Sequence, residues 1–192
     1  VGMLGAAALD MSALHGRTML NLDSEDEGVF TVSCAGGATA TCVLPVQRAA
    51  FAGTRLRLTV DGLTGGHSGA EIDKGRANAD MLLGRVLCRM AQHTALRTVK
   101  VWGGQKDNAI PREASAEILA ADAAAAQRAA TEMEQALRHE YEKADPGLCV
   151  QCSVIDGDRL PMDEADTRRV ICMLTCLPNG IQAMSPDMPG LV

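Results

Sequence analysis

The fold is indicated most clearly by residues 54–72, whose sequence is TRLRLTVDGLTGGHSGAEI. Its first part alternates leucine and valine with polar side chains, which is typical of a strand with one buried face. Its second part places three glycines around one histidine, and glycine is common where the backbone turns sharply or lets another group approach closely. The stretch therefore predicts a strand, then a glycine-rich loop that presents His67 outward, then a helix.

The elements that follow have a recognisable order. Alternating apolar residues predict strands at 54–60, 96–102, 113–119 and 148–155. Apolar residues at helical spacing predict helices at about 74–93, 122–143 and 163–177. From residue 54 the order is β-α-β-β-α-β, so we expect an α+β fold of the ferredoxin-like kind, with helices on one face of an antiparallel sheet.

The chain before residue 54 has a different character. Helical spacing predicts a helix over 2–14, and short apolar runs predict strands at 17–23 and 29–34. A helix, a turn and a strand make half of a βαβ unit, so we expect residues 1–50 to be part of an α/β domain and residues 51–192 to form the ferredoxin-like domain. Because the chain begins at Val1 inside the predicted helix and ends just after a loop, we expect a fragment of a longer protein.

Composition excludes several classes of function. The chain has 192 residues, 47% of them hydrophobic, which is enough for a core, but only 2% are aromatic. A net charge of −6 without a basic block argues against nucleic-acid binding. We also expect no membrane partner and a cytoplasmic location, because the sequence has neither an apolar run long enough to cross a bilayer nor a signal-peptide pattern.

The seven cysteines suit reduced thiols better than a disulfide framework, because their number is odd and they are scattered through apparent core segments. Cys149 and Cys152 have the spacing of a metal or redox pair, but they lie inside a predicted strand without a second pair. Cys172 and Cys176 fall on one side of a predicted helix, which is most simply explained by core packing.

Two residues are candidates for chemistry, and each has a simpler explanation. His67 is either a functional side chain on a closely approaching loop or an exposed residue of a tight strand-to-helix turn. Asp23 ends a predicted strand of the α/β part, where ligands of open α/β sheets gather, and is followed by SEDEG. It is either a cation ligand or part of an acidic, solvated turn.

Four motifs in order carry a resemblance that covers nearly the whole chain. They are NLDSEDEG at 21–28, CAGG at 34–37, GGHSG at 65–69 and NAIPREA at 108–114. In this order they resemble the aminoacyl-histidine dipeptidases, which are PepD-type cytosolic dipeptidases of the zinc aminopeptidase, carboxypeptidase and aminoacylase superfamily. The resemblance implies a catalytic α/β domain with two zinc ions and a ferredoxin-like lid that also carries homodimer contacts.

The resemblance also implies roles for individual residues. Asp23 matches a metal ligand at the end of a catalytic-domain strand. His67 matches a lid histidine that reaches an active site, often that of the other subunit, and helps to polarise the scissile carbonyl. Asn108 matches a lid asparagine that contacts the dipeptide substrate, and Arg112 is a weaker candidate for the same surface. A metal pair suits such a reaction, because it polarises a carbonyl and generates hydroxide near neutral pH.

The remaining metal ligands of the family and its general base have no counterpart in this sequence. One carboxylate cannot hold a zinc pair, so we expect the chain alone to be inactive and the intact protein to hydrolyse Xaa-His dipeptides with a metal-activated water. The alternative is a non-catalytic ferredoxin-like module that dimerises or binds a small molecule. The two hypotheses differ in one expectation: a lid requires His67 and Asn108 to share a face and to project away from the core.

Overall fold

The computed structural model describes residues 5, 8–20, 27–30, 36–188 and 190, and the chain divides into two units, Val1–Cys42 and Val43–Val192. The second unit contains the predicted α+β fold. Its strands are β1 (Thr54–Asp61), β2 (Gly66–His67), β3 (Leu96–Gly103), β4 (Ala109–Ile110), β5 (Ala114–Ala120) and β6 (Cys149–Val154). Its helices are α1 (Ala79–His93), α2 (Ala123–Glu140) and α3 (Glu164–Cys176).

The four long strands form one antiparallel sheet in the order β3-β5-β1-β6. With the two crossover helices, this order confirms the ferredoxin-like β-α-β-β-α-β arrangement. The strand and helix bounds differ from the predicted ones by a few residues, except at the start of α1. That helix begins at Ala79, because Asn78 caps it and Gly75 ends a separate 3-10 turn at Ile72–Lys74.

One face of the sheet packs against the helices. Leu56, Leu58 and Val60 point to this face and are fully buried. The helices cover them with apolar side chains from one stripe each, namely Leu82, Leu83, Val86, Leu87 and Met90 of α1 and Ala126, Ala129, Ala130 and Leu137 of α2. The alternating pattern of β1 correctly predicts which side chains are buried, because Leu56, Leu58 and Val60 all point into the core.

The opposite face of the sheet is polar. Arg57 pairs with Glu117 at 2.9 Å across β1 and β5, and the hydroxyl groups of Thr59 and Ser115 lie 3.0 Å apart. Trp102 also lies on this side, where the Lys100 ammonium is 4.6 Å from its ring centroid. The two cross-strand pairs and this contact within β3 stabilise the polar face.

The edge strand β6 is protected by side chains of α2. The Gln127 amide donates to the carbonyl oxygen of Cys152 at 3.2 Å, and the backbone amide of Val150 donates to Glu134 Oε1 at 3.3 Å. Exposed edge strands present backbone groups that can pair with another chain. Here, two such groups are already occupied by the helix that precedes the strand.

The sequence predicts no secondary structure for residues 38–53, but part of this segment bonds to residues near the start of α3. The backbone amide of Ala49 donates to the Pro161 carbonyl at 3.1 Å, and the amide of Asp163 donates to the Gln47 carbonyl at 3.0 Å. The segment at 47–49 therefore runs beside the start of α3, and its contacts lie within the second unit.

The predicted elements of the first unit are corrected where the structure describes them. The helix does not continue through Leu14, because Asp10 is extended and caps a separate 3-10 turn at Met11–Ala13. Residues 17–20 and 29–30 form no strand, and their apolar side chains are exposed, with Leu20 83% and Phe30 91% accessible. A strand needs a partner, and these segments pair with none among the described residues. The rest of the predicted strands lies outside the described residues.

The cysteines that the structure describes are all free thiols. Cys149 and Cys152 lie on opposite faces of β6, because residues three apart on a strand alternate sides, so they form no chelating pair. Burial raises the pKa of the Cys152 thiol to about 11. The expectation that Cys172 and Cys176 pack in the core is wrong, since both are exposed on α3 with their sulfurs 3.7 Å apart.

None of the helices within the described ranges is both long and apolar enough to cross a lipid bilayer.

Candidate functional site

The structure brings the loops of His67 and Asn108 together. Strands β2 and β4 pair antiparallel, with Gly66 opposite Ile110 and His67 opposite Ala109. The amide of Ser68 then donates to the Asn108 carbonyl at 3.0 Å. His67 and Asn108 are both exposed. The two residues therefore lie on neighbouring backbones, and both are accessible at the surface.

The His67 ring is held by backbone groups that follow it in the chain. The amides of Gly69 and Ala70 donate to its Nδ1 at 3.0 and 3.1 Å. A ring nitrogen that accepts hydrogen bonds carries no proton, so the neutral imidazole carries its proton at Nε2. The turn thus fixes the tautomer of His67 and leaves the Nε2–H group as a donor toward solvent or a ligand.

The backbone of His67 is held by a second set of bonds. Its amide donates to Glu71 Oε2 at 2.9 Å, and its carbonyl accepts from the Glu71 amide at 3.1 Å. The Arg76 guanidinium lies 3.0 Å from Glu71 Oε1 and also donates to the Gly65 carbonyl. The amide of His67 and the Arg76 charge together hold the pKa of Glu71 below its ordinary value.

Gly66 allows this close packing. Its φ of 145° lies in a region that L-residues rarely adopt. A Cβ at this position would also collide with the Arg76 guanidinium and lie 2.7 Å from Glu71 Oε2. The backbone conformation therefore favours glycine directly before His67, and a side chain there would displace the ends of the Arg76 and Glu71 side chains.

Arg112 lies against the same loop. Its Nε donates to the Leu63 carbonyl at 3.2 Å, and its aliphatic stem contacts Gly65. The residue is exposed, so one nitrogen positions the side chain while the rest of the guanidinium stays accessible. The three candidate residues of the second unit are thus all attached to the two paired loops.

Two clefts flank the β4 segment. One has a volume of about 690 Å³ and is lined by residues that include Ser68, Asn78, Tyr141 and Asn179. The other has a volume of about 450 Å³ and includes Asp61, Leu63, Arg112 and Glu113. Both also contact Lys106 and the segment 109–111. Their walls carry charges of both signs, which suits a zwitterionic ligand better than a purely apolar one.

The described residues do not fit a zinc site by themselves. Within the ranges that the structure describes, no three His, Cys, Asp or Glu side chains come together to hold a metal ion. Asp23, the one metal ligand that the sequence suggests, lies outside the described residues. The ligand set implied by the resemblance is therefore not available to a metal in this part of the chain.

Sequence reasoning missed the groups that hold the loop. Glu71 follows His67 by four residues. This spacing allows contact across a turn, and it is the only feature of the sequence near His67 that suggests their hydrogen bond. Arg76 and Asp145 have no comparable signal. Asp145 in particular bonds to Thr64 and Ala77, which are far away in sequence, and only the folded chain shows that contact.

Comparison with known proteins gives a consistent result. Residues 58–145 match the family described as the peptidase dimerisation domain. The chain is 35% identical over 195 residues to cytosol non-specific dipeptidase of Escherichia coli strain K12, an alignment that covers the whole chain and 40% of that protein. It also matches the crystal structure of aminoacylhistidine dipeptidase from Vibrio alginolyticus, with 33% identity, a TM-score of 0.74, and coverage of 78% of this chain and 31% of the other. The chain thus spans less than half the length of either relative.

Proposed function

We propose that this chain, whose residues 58–145 match the peptidase dimerisation domain family, belongs to that family and is the lid-bearing part of a dipeptidase. Both relatives are dipeptidases; the similarity covers the whole chain for the E. coli protein and 78% of it for the V. alginolyticus protein. The observation that carries the proposal is the backbone pairing of the His67 and Asn108 loops, because it brings two exposed polar residues onto neighbouring strands.

In this proposal, His67 stabilises the transition state of peptide hydrolysis. When water attacks the scissile carbonyl, negative charge develops on its oxygen, and a preorganised donor stabilises that charge more than it stabilises the substrate. The Nε2–H of His67 is such a donor, since Gly69 and Ala70 already fix the ring through Nδ1. His67 does not act as a base here, because its accepting nitrogen is occupied by two amides.

Asn108 and Arg112 are proposed to orient the substrate. The Asn108 side chain carries both a donor and an acceptor, as a peptide group requires. Arg112 leaves part of its guanidinium accessible beside the smaller cleft, and guanidinium groups pair well with carboxylates such as the free C-terminus of a dipeptide. A preference for Xaa-His dipeptides is part of the proposal and rests on the resemblance and on the V. alginolyticus relative.

Zinc enters the proposal only through the resemblance. A bound metal pair would supply an activated water, but the described residues contain no ligand set for it, so no step is assigned to a metal here. We also propose, on the same footing, that Asp23 is a metal ligand in the intact protein and that the chain alone is inactive. A homodimer and a cytoplasmic location complete the proposal; they are supported by the match to a dimerisation domain and by the similarity to a cytosol dipeptidase of E. coli.

The test measures hydrolysis of an Xaa-His dipeptide by the intact protein that carries this chain, with zinc present. We expect His67→Ala to lower kcat by about 10²–10³-fold, the cost of losing one oxyanion donor, with KM and bound metal little changed. His93→Ala is a matched control, because His93 is also exposed but lies at the end of α1. Full activity of His67→Ala would remove His67 from the reaction, whereas absence of dipeptide hydrolysis by the wild-type intact protein would favour the non-catalytic module.

A further inference from the structure

One buried carboxylate ties together both ends of the segment that carries His67. We propose that Asp145 is a positioning residue for His67: it acts on the reaction by fixing the segment 64–77. This inference rests on the proposed function, because a positioning role has meaning only if His67 takes part in hydrolysis. It concerns a residue that lies far from His67 in sequence and that contacts neither the ring nor its immediate turn.

The geometry of Asp145 is that of a two-sided clamp. Its side chain is 1% exposed. Oδ1 accepts from the amide of Thr64 at 2.7 Å, and Oδ2 accepts from the amide of Ala77 at 2.7 Å. The Thr64 hydroxyl adds a bond of 2.9 Å to the Ala144 carbonyl. The first and last residues of the segment are therefore bound to one side chain and its neighbour.

The clamp itself is fixed to the end of α2. The Asp145 amide donates to the Tyr141 carbonyl at 2.8 Å, and the Asp145 carbonyl accepts from the Leu148 amide at 3.0 Å. Gly62, with φ of 74°, packs directly on Gly147, where any side chain would strike the Gly147 carbonyl. The turn between α2 and β6 is thus a rigid support on which the start of the His67 loop rests.

Physical chemistry makes this contact a strong one. Hydrogen bonds to an ionised carboxylate are roughly twice as strong as bonds between neutral groups. A buried carboxylate that loses its donors also keeps its desolvation cost, so opening the clamp is expensive. Because Thr64 and Ala77 both bond to the same carboxylate, the two ends of the segment cannot move independently. The position of the His67 backbone relative to the rest of the domain is thereby restricted.

Asp145→Asn is the informative substitution. Asparagine keeps the volume of the side chain, but only its oxygen can accept, and its NH2 group faces one of the two backbone donors. One end of the segment is therefore released while the core remains filled. Misplacing a catalytic group by about 1 Å can cost about 10²-fold in rate, so we expect kcat of the intact protein to fall by at least about tenfold, with KM little changed.

A double-mutant cycle with His67→Ala separates positioning from general damage. If Asp145 acts through His67, the Asn substitution costs less than about twofold in kcat once His67 is already alanine, since residues that act as one unit are not additive. An equal loss in both backgrounds would overturn the proposal. Asp122→Asn is the matched control, because Asp122 caps α2 through Ala125 without touching the loop; its kcat should be unchanged.

Hydrogen exchange supplies a readout that needs no activity. In the full chain, Asp145→Asn should speed exchange of the amides of Thr64 and Ala77 and of the residues between them, while β1 and β5 keep their protection. Unchanged exchange would refute the clamp, whatever His67 does. Faster exchange combined with a fully active His67→Ala enzyme would support the clamp but refute the proposed role of His67 in hydrolysis and, with it, the positioning role of Asp145.

A second variant keeps the test decisive if Asp145→Asn does not fold. Thr64→Val preserves shape and removes only the bond to the Ala144 carbonyl. We expect faster exchange near residue 64 and a smaller fall in kcat than for Asp145→Asn. A Thr64→Val protein with unchanged exchange and unchanged kcat would contradict the proposal.

Discussion

The helix–sheet core and the segment 64–77 are stabilised in different ways. The core is held by apolar side chains such as Leu58 and Leu82, which are fully accessible in an unfolded chain and fully buried here. In the segment, His67 and its neighbours are exposed, and charged groups provide the anchors, namely Asp145, Glu71 and Arg76. The core therefore depends on area removed from water, whereas the segment depends on a small number of directed bonds.

Because they are stabilised differently, the two regions should open separately. Loss of a core side chain weakens every element packed on it, so the whole domain responds. Loss of one directed bond affects the amides that it holds and leaves the sheet and helices protected. The segment can then be rigid enough to place a donor and still be the first part of the domain to loosen. The following substitutions test that separation.

Leu58→Ala should have the largest effect, and the effect should be global. Leu58 lies in the central strand β1 and is fully buried, so its truncation should lower the free energy of unfolding by about 2–5 kcal/mol. Denaturant unfolding followed by circular dichroism measures this, and exchange should accelerate throughout the second unit. Val43→Ala, at a residue that is 83% exposed, is the control. Loss of protection confined to 64–77 would contradict the distinction drawn here.

Glu71→Gln should have an intermediate and local effect. The change weakens the acceptor for the His67 amide and removes the Arg76 ion pair. Because folding lowers the pKa of Glu71 from an ordinary value of 4.5, its contribution is present above that pH and is lost as the pH falls through the lowered value. NMR should show the protection factor of the His67 amide falling in acid in the wild type.

In Glu71→Gln, the same protection should be lower at neutral pH and should show no step in acid. Asp73→Asn is the matched control, because Asp73 is a nearby exposed carboxylate in the 3-10 turn. If the acid step persists in Glu71→Gln but disappears in Asp73→Asn, the loss of protection in acid is caused by protonation of Asp73 and not of Glu71, and the prediction is wrong.

Asp80→Asn should have the smallest effect, and it should stabilise. Asp80 lies in the first turn of α1, and the backbone at Gly103 packs directly on its carboxylate. Burial raises its pKa above the ordinary value of 3.8, so the wild type loses stability as the pH rises from 3.8 through the raised value. The variant should therefore melt slightly higher than the wild type at pH 7 and at the same temperature at pH 3. A lower melting temperature at pH 7 would show that the charge is favourable.

Most of the fold after residue 54 could be predicted because its signals are local and repeated. The alternation of β1 and the apolar stripes of α1 and α2 each extend over several residues, so an error at one position does not change the result. Asp122 and Asp163 cap their helices as their residue types suggest. The start of α1 was placed too early, although Asn78 was present as a capping signal.

The site could be predicted only in part. His67 and Asn108 were identified from their motifs, but the two-residue strands that pair them are too short to show any periodicity. The clamp at Asp145 joins residues that are far apart in sequence, and no pattern in one sequence reports such a contact. Cys149 and Cys152 show that a motif depends on its element: the same spacing that chelates on a loop separates two thiols on a strand, where the sequence already predicts these two residues.

The capping of β6 by Gln127 and Glu134 has a consequence for the order of synthesis. A ribosome makes α2 before β6, so the side chains that occupy the outer backbone groups of this strand are already present when it emerges. Until then, the side of β1 that later receives β6 stands open to any neighbouring nascent chain. Once β6 docks, it pairs with that side of β1, and its own outer backbone groups bond to Gln127 and Glu134 at the same time. The period in which this sheet could recruit a wrong strand thus ends when β6 (Cys149–Val154) has left the ribosome and docked.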